Sequence, residues 1–462
     1  MDRRLTTAFT TRRLRRRFVT AIAAVAALAA LPFEADPVRA AAPVIPPSMR
    51  VETSYVLKSH LDWTAGTIVT AETIRIRNTS TAGVGAIDLA VMPRAFGELT
   101  SFGSLAVDGR SVTGAWTTNA NFRLQLGRTL APGGSATVTL RFGVRATNDI
   151  DTSLDGRLSK AYGIIQVSHW FPIVSDGHAL RYPGDAQYTL TARSIRLELT
   201  TSSSDVRIAA PGRRISVSGR THVYQIENAR DFAFGASPSY RVTTGSAAGV
   251  AIEVWGTTGD RFAALATARA AIARFESAFG EYQWTRYVVA QTGRPASGNE
   301  YPGIVFLGSS LFRDPEVVAH ETAHQWWYAM AGNDQLRTPW LDEGLSEFAA
   351  SYWFGAFHPY ASSKPVDSPV TAFPNVPAPQ TSAQPDSYDQ TIYFKAARFL
   401  DGLRARMGTS AFFDGLRAFF AGLRQFFAMN RNGVMTTAEF EQVMLARGAS
   451  KAYLDQFLFY AG

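Results

Sequence analysis

Hydrophobic and polar positions alternate with a period of two in the first half of this chain and recur every three to four residues in the second. From about residue 50 to 245 short alternating runs repeat. Examples are Thr73-Ile74-Arg75-Ile76-Arg77, Ala136-Thr137-Val138-Thr139-Leu140-Arg141-Phe142 and Ile195-Arg196-Leu197-Glu198-Leu199. A period of two sends alternate side chains to opposite faces of a strand, so each run predicts a strand with one buried face. Pro132-Gly133-Gly134 and Pro211-Gly212 are turn signals between such runs. No long helical pattern interrupts, and the stretch predicts a β-rich domain of sheets or a sandwich.

Near residue 246 the period changes. Phe262 to Phe279 is rich in Ala, with apolar residues at three- and four-residue spacing, and predicts a helix. Tyr287-Val288-Val289-Ala290 and Gly303-Ile304-Val305-Phe306-Leu307 predict strands. Residues 359–386 hold seven prolines and little periodicity, which predicts a surface loop or lid. From Tyr388 the pattern is helical, with Thr436-Thr437-Ala438-Glu439 as a capping box. Asn430-Arg431-Asn432-Gly433 has the outline of a calcium loop. Its register puts Ala428 where a carboxylate is required, so a turn is predicted instead.

The N-terminus has another character. Arg12-Arg13-Leu14-Arg15-Arg16-Arg17 precedes an apolar, alanine-rich run from Phe18 to Leu31, and Val38-Arg39-Ala40 fits a small-residue cleavage site. This order is that of an export signal, Sec-type or twin-arginine, and predicts a secreted or extracytoplasmic protein. The apolar run is short for a membrane span, which needs about 20 residues. The expected organisation is a signal at 1–40, a β-rich domain at 41–245 and a catalytic α/β domain at 246–462.

Composition narrows the function. Hydrophobic residues make up 46% and mean hydropathy is −0.05, as in a soluble globular chain of two or three domains. The absence of Cys excludes disulfides, thiolate-bound zinc and a cysteine nucleophile. The net charge of +8 is concentrated in residues 1–40, where eight Arg face three acidic residues; the rest of the chain carries only +3. That balance gives no case for a nucleic-acid partner.

The chemistry is concentrated at His320-Glu321-Thr322-Ala323-His324, an H-E-x-x-H pattern. Residues four apart share a helix face, so His320 and His324 can hold one metal ion. Asp314 can cap the helix, Pro315 suits its first position and Gly332 can end it. A catalytic zinc takes three protein ligands, and Glu343, in Trp340-Leu341-Asp342-Glu343-Gly344, is the candidate third. Glu321 points off the ligand face and is placed to act as general base. Glu347, four residues after Glu343, can hydrogen-bond a ligating histidine. His60, His169, His178 and His222 have no partner at ligand spacing and predict core or surface residues. Trp326, Trp327 and Trp340 predict core packing.

HETAHQWW followed by WLDEGLSEF resembles the aminopeptidase N family of zinc metallopeptidases, within the gluzincins. Gly298-Asn299-Glu300-Tyr301-Pro302-Gly303 sits where that family has G-x-M-E-N, and Tyr393-Phe394-Lys395-Ala396-Ala397 where it has Y-E-K-G-A. Asn228-Ala229-Arg230-Asp231-Phe232-Ala233 is similar to the end of the family's N-terminal β domain. The resemblance implies a thermolysin-like α/β catalytic domain after the β domain, without the large C-terminal helical domain of many members. It implies one zinc per chain and peptide substrates. It assigns Glu300 with Gly298 to substrate binding, Glu300 being the anchor of the free α-amino group, and Tyr393 to oxyanion stabilisation. Asn299 and Tyr301 depart from the family's Met and Asn. A zinc endopeptidase therefore stands as the alternative, and a peptide-binding surface protein with a degenerate site as another. No G-x-S-x-G occurs, so a serine hydrolase is unsupported.

Overall fold

The computed structural model describes residues 50–147, 157–175, 190–294, 297–373, 384–430 and 434–459, all within one compact unit, Pro46–Gly462. The export-signal stretch, its linker, His178 and the turn at 431–433 lie outside the described residues. No helix among the described residues is long and apolar enough to cross a membrane.

The β-rich half contains an eight-stranded sheet. Its order is Arg213–Ser218, Thr221–Ala229, Ala192–Thr201, Val51–Asp62, Thr67–Asn78, Ser135–Arg145, Leu99–Val107 and Arg110–Ser111. All neighbours are antiparallel except Val51–Asp62 beside Ala192–Thr201. The alternation is explicit in Thr67–Asn78, where Ile68, Thr70, Glu72, Ile74, Ile76 and Asn78 are buried. Two four-stranded sheets accompany it among the described residues. Loss of water contact by the inward rows is the main stabilising contribution here.

Glu72 breaks the apolar row. It lies in register between Leu57 and Leu140, is 1% exposed, and neither carboxylate oxygen has a hydrogen-bond partner. Burial pushes its pKa well above the usual carboxylate range. The folded state therefore holds a proton that the unfolded chain releases near its ordinary pKa. This group's contribution to stability is greatest below that pH and falls as pH rises, by about 1.4 kcal/mol per unit, until the folded pKa is passed. Glu72→Met is expected to stabilise the fold by about 1–3 kcal/mol at pH 8, and by less at pH 5. Urea unfolding at the two pH values checks this; equal stability of variant and parent at pH 8 would contradict it.

The second half begins with a five-stranded mixed sheet ordered Arg241–Ala247, Val250–Gly256, Arg286–Gln291, Ile304–Leu307, Gly298–Tyr301. Its first strand starts at Arg241, a little before the change of sequence period. Helix Arg261–Phe279 connects two parallel strands of the sheet and buries Ala264, Ala268, Ile272 and Phe275 on one face. The final strand, Gly298–Tyr301, pairs antiparallel at the edge and carries Glu300. Beyond the sheet come two facing helices, Pro315–Ala323 and Glu343–Trp353, and then the C-terminal helices. The Thr436 side chain and Glu439 form the expected capping box.

The first of the two facing helices, hereafter the motif helix, starts as its sequence predicts. Asp314 accepts hydrogen bonds from the backbone N–H groups of Glu316 and Val317, and Pro315 follows. Its end differs from the expected stop at Gly332. The α-helix closes at Ala323 and Gln325–Met330 widens into a π-turn, with non-helical backbone at Trp327 and Tyr328. Trp326, Trp327 and Tyr328 are consecutive and all essentially buried. Successive residues of an α-helix point about 100° apart. The break lets Trp326 pack on Phe275 and Tyr282, and Trp327 on Phe279 and Phe420. Gly332 serves another purpose: a Cβ there would collide with the buried Arg230 guanidinium.

Candidate metal centre

His320 and His324 lie on successive turns of the motif helix, and Glu343 opens the helix Glu343–Trp353 packed against it. A short 3₁₀ turn, Pro339–Leu341, returns the chain so that Glu343 faces both imidazoles. The Nε2 atoms of His320 and His324 are 3.1 Å apart, and each is 3.2 Å from Glu343 Oε2. Three donor atoms thus form a nearly equilateral triangle. Ligands about 2.0–2.1 Å from a tetrahedral centre are separated by about 3.3 Å, so the triangle has the dimensions of one face of a zinc site.

Charge supports the same reading. Burial alone would lower both histidine pKa values. Glu343 and Glu347 overcome this at His320 and lift it to about 10; Asp342 and Glu343 lift His324 well above the usual range. Glu343 is also buried, yet the imidazoles hold its carboxyl well below the usual range. The carboxylates gathered on the two imidazoles carry a charge that a divalent cation can balance.

The other ring nitrogens are also engaged. His320 Nδ1 is 3.0 Å from Glu347 Oε2. His324 Nδ1 is 2.5 Å from Asp342 Oδ1 and 3.1 Å from Ser346 Oγ. A carboxylate on each Nδ1 favours the tautomer whose Nε2 lone pair faces the metal. The spacing of Glu347 from Glu343 is the sequence signal for its contact with His320. Asp342 and Ser346 have no such spacing; the signal for Asp342 is only its place beside Glu343. Gln335 donates in turn to Asp342.

Glu321 and Glu300 face the same cavity of about 440 Å³, together with Gly298, Tyr393 and Phe394. Glu321 is 8% exposed and its Oε2 has no partner; Glu300 is 6% exposed and its Oε1 has none. Burial pushes Glu321 up to about 7 and Glu300 up to about 8. Gly298 is required by close approach, since a Cβ there would collide with Glu321 Oε1. The Tyr393 ring stacks on His320 with centroids 5.6 Å apart. Tyr388 packs on Phe373 and Tyr393 and is absent from the cavity lining among the described residues.

Long-range contacts fix the Glu300 strand. Gln325 Nε2 donates to Tyr301 O at 3.0 Å, and its Oε1 accepts from Gly303 N at 2.8 Å, tying the strand pair to the end of the motif helix. From the β-rich half, Gln166 Nε2 donates to Asn299 Oδ1 at 3.3 Å and Ser168 Oγ lies 2.9 Å from Tyr301 Oη. The two residues that depart from the family pattern therefore both meet the β-rich half. His169 is buried 3.4 Å from Asp231, a core position rather than a ligand.

A β-rich half joined to an α/β half, with H-E-x-x-H and a downstream Glu converging on a metal-sized triangle, define the zinc-metallopeptidase class. Residues 264–450 match the peptidase family M1 domain. Leucine aminopeptidase 2-1 of Meyerozyma guilliermondii is 32% identical over 89 residues, 18% of this chain; the match spans 14% of that relative. The fold is shared with the M1 zinc metallopeptidase from Deinococcus radiodurans, with a TM-score of 0.64 and 15% identity over 88% of this chain and 92% of that one. A Glu-to-Ala variant of that protein, bound to a Tyr-Ser-Ala substrate, gives a TM-score of 0.64 and 16% identity, covering 88% of this chain and 93% of its own.

The donor set fits one zinc per chain. Metal analysis is expected to find about one equivalent, and His324→Ala is expected to lose most of it. Full occupancy in the variant would remove His324 from the ligand set.

Proposed function

We propose that this protein is an exported aminopeptidase that removes N-terminal residues from peptides. The observation that carries the reading is one cavity holding a zinc-sized donor triangle and two buried carboxylates, Glu321 and Glu300, each with an unpartnered oxygen. Zinc, when bound, supplies Lewis acidity to water and to the scissile carbonyl. Glu321 takes the proton from the attacking water and delivers it to the leaving amine. Tyr393 Oη donates a hydrogen bond to the developing oxyanion. Glu300 accepts hydrogen bonds from the substrate's α-ammonium, so only a chain end is seated productively. Glu347 and Asp342 keep the imidazoles in register.

The test is a panel of aminoacyl fluorogenic substrates, free and N-acetylated, with and without chelator. Chelator-sensitive hydrolysis of the free-amine series supports the proposal. Preference for acetylated substrates or for internal bonds would make the protein an endopeptidase, and chelator-insensitive or absent hydrolysis would end the peptidase reading.

Export rests on the basic run, the apolar run and Val38-Arg39-Ala40. N-terminal sequencing of the protein from its native host is expected to begin near Ala41. Intact Met1 on the main, cytoplasmic form would refute it.

A further inference from the structure

The cavity is lined by more carboxyl groups than the proposed reaction uses. Glu300, Glu321 and Glu343 have roles above, Glu347 orients His320, and Asp314 caps the motif helix. Glu316 remains. It lines the cavity with a side chain 24% exposed, and its Oε1 accepts a hydrogen bond of 3.0 Å from Ser351 Oγ. His358 Nε2 stands 3.8 Å away. Space is kept for the carboxylate: a Cβ on Gly355 would collide with it. No Lys or Arg lines the cavity among the described residues, and the buried unpartnered oxygens of Glu300 and Glu321 also face into it. Glu316 therefore suits a ligand that brings a positive group in addition to its α-ammonium.

Position along the helix says which group. Glu316, His320 and His324 are spaced four apart and climb one face of the motif helix, about 6 Å per step. Glu300 groups with Glu321 and His324 at one end; Glu316 groups with Glu347 and His358 at the other. The donor triangle touches both groups, the first through His324 and the second through His320, which faces Glu347. A chain end held at Glu300 places the bond to be cut by the histidines and sends the following residue towards Glu316. Consecutive Cα atoms are 3.8 Å apart, so the second residue reaches that end with a long side chain.

We infer that Glu316 is a specificity-determining residue that selects Lys or Arg at the second position of the peptide, directly after the bond that is cut. This rests on the aminopeptidase reading.

The test compares kcat/KM of the zinc-loaded enzyme on Leu-Arg-Ala, Leu-Leu-Ala, Leu-Glu-Ala and Arg-Leu-Ala. Leu-Arg-Ala is expected to exceed Leu-Leu-Ala about tenfold, a ratio that shrinks with added salt. Glu316→Gln brings the ratio near one, and Glu316→Lys turns it in favour of Leu-Glu-Ala. Zinc content and thermal melting of both variants establish that they are folded; should either fail to fold, the wild-type ratios and their salt dependence decide. Hydrolysis with no preference for a basic second residue, a preference for Arg-Leu-Ala instead, or a ratio unchanged in Glu316→Gln would overturn this inference alone. Failure to cleave any of the four peptides would overturn the aminopeptidase reading, and the inference with it.

Discussion

Glu321→Gln is expected to keep its zinc and to lose hydrolysis by roughly 10²-fold or more. Gln has nearly the size and shape of Glu, so the fit against Gly298 is retained. What disappears is the ability to accept a proton. Glu321 is not a corner of the donor triangle, which is formed by His320, His324 and Glu343. Metal content should therefore be indifferent to the change while kcat falls. Tyr393→Phe is the instructive comparison. It preserves the ring stacked on His320 and removes only the hydroxyl. It should also retain zinc and lower kcat by roughly 10²-fold, as for loss of one oxyanion donor. Steady-state kinetics beside metal analysis checks both. If Glu321→Gln loses zinc in proportion to activity, the residue holds the metal site together and the general base is another group. If Tyr393→Phe leaves kcat intact, the oxyanion donor lies elsewhere.

The convergence of His320, His324 and Glu343 was legible because the pattern is local. Two histidines four apart on a capped helix share a face whatever surrounds them. Glu343 needed one further step, a short turn between two helices, and the order of residues allowed it. Asp342 was not legible. Its carboxylate reaches His324 only because the Pro339–Leu341 turn sets its direction, and a residue next to a ligand has no periodicity of its own. The widening after Ala323 was equally hidden. Helical spacing continues through Trp326-Trp327-Tyr328, and only the tertiary demand to bury all three rings breaks the hydrogen-bond ladder. In the β-rich half, alternation revealed strands but not partners. Neither the parallel pairing of Val51–Asp62 with Ala192–Thr201 nor the contact of Gln166 with Asn299 has a local signature.

That contact bears on the second large effect, at Glu300. Its strand is held from two sides, by Gln325 through the backbone of Tyr301 and Gly303 and by Gln166 and Ser168 through the flanking side chains. Glu300 is thus a fixed, buried carboxylate whose Oε1 has no partner. A substrate α-ammonium supplies one, and only a free chain end carries that charge. Losing one partner of such a desolvated pair costs roughly 2–5 kcal/mol. At a factor of ten per 1.4 kcal/mol this is on the order of 30- to several thousand-fold in kcat/KM. Acetylating the substrate removes the same contact from the other side, so the two losses should overlap rather than add. Glu300→Gln is expected to depress hydrolysis of free-amine substrates by that factor and to affect acetylated ones far less. The measurement is a four-cornered comparison of parent and variant on free and acetylated forms of one substrate. Equal loss on both forms would mean that Glu300 supports the strand and recognises nothing. A parent enzyme that already favours the acetylated form would shift the reading to an endopeptidase, and Asn299 and Tyr301, the residues gripped by the β-rich half, would then be the place to look for the reason.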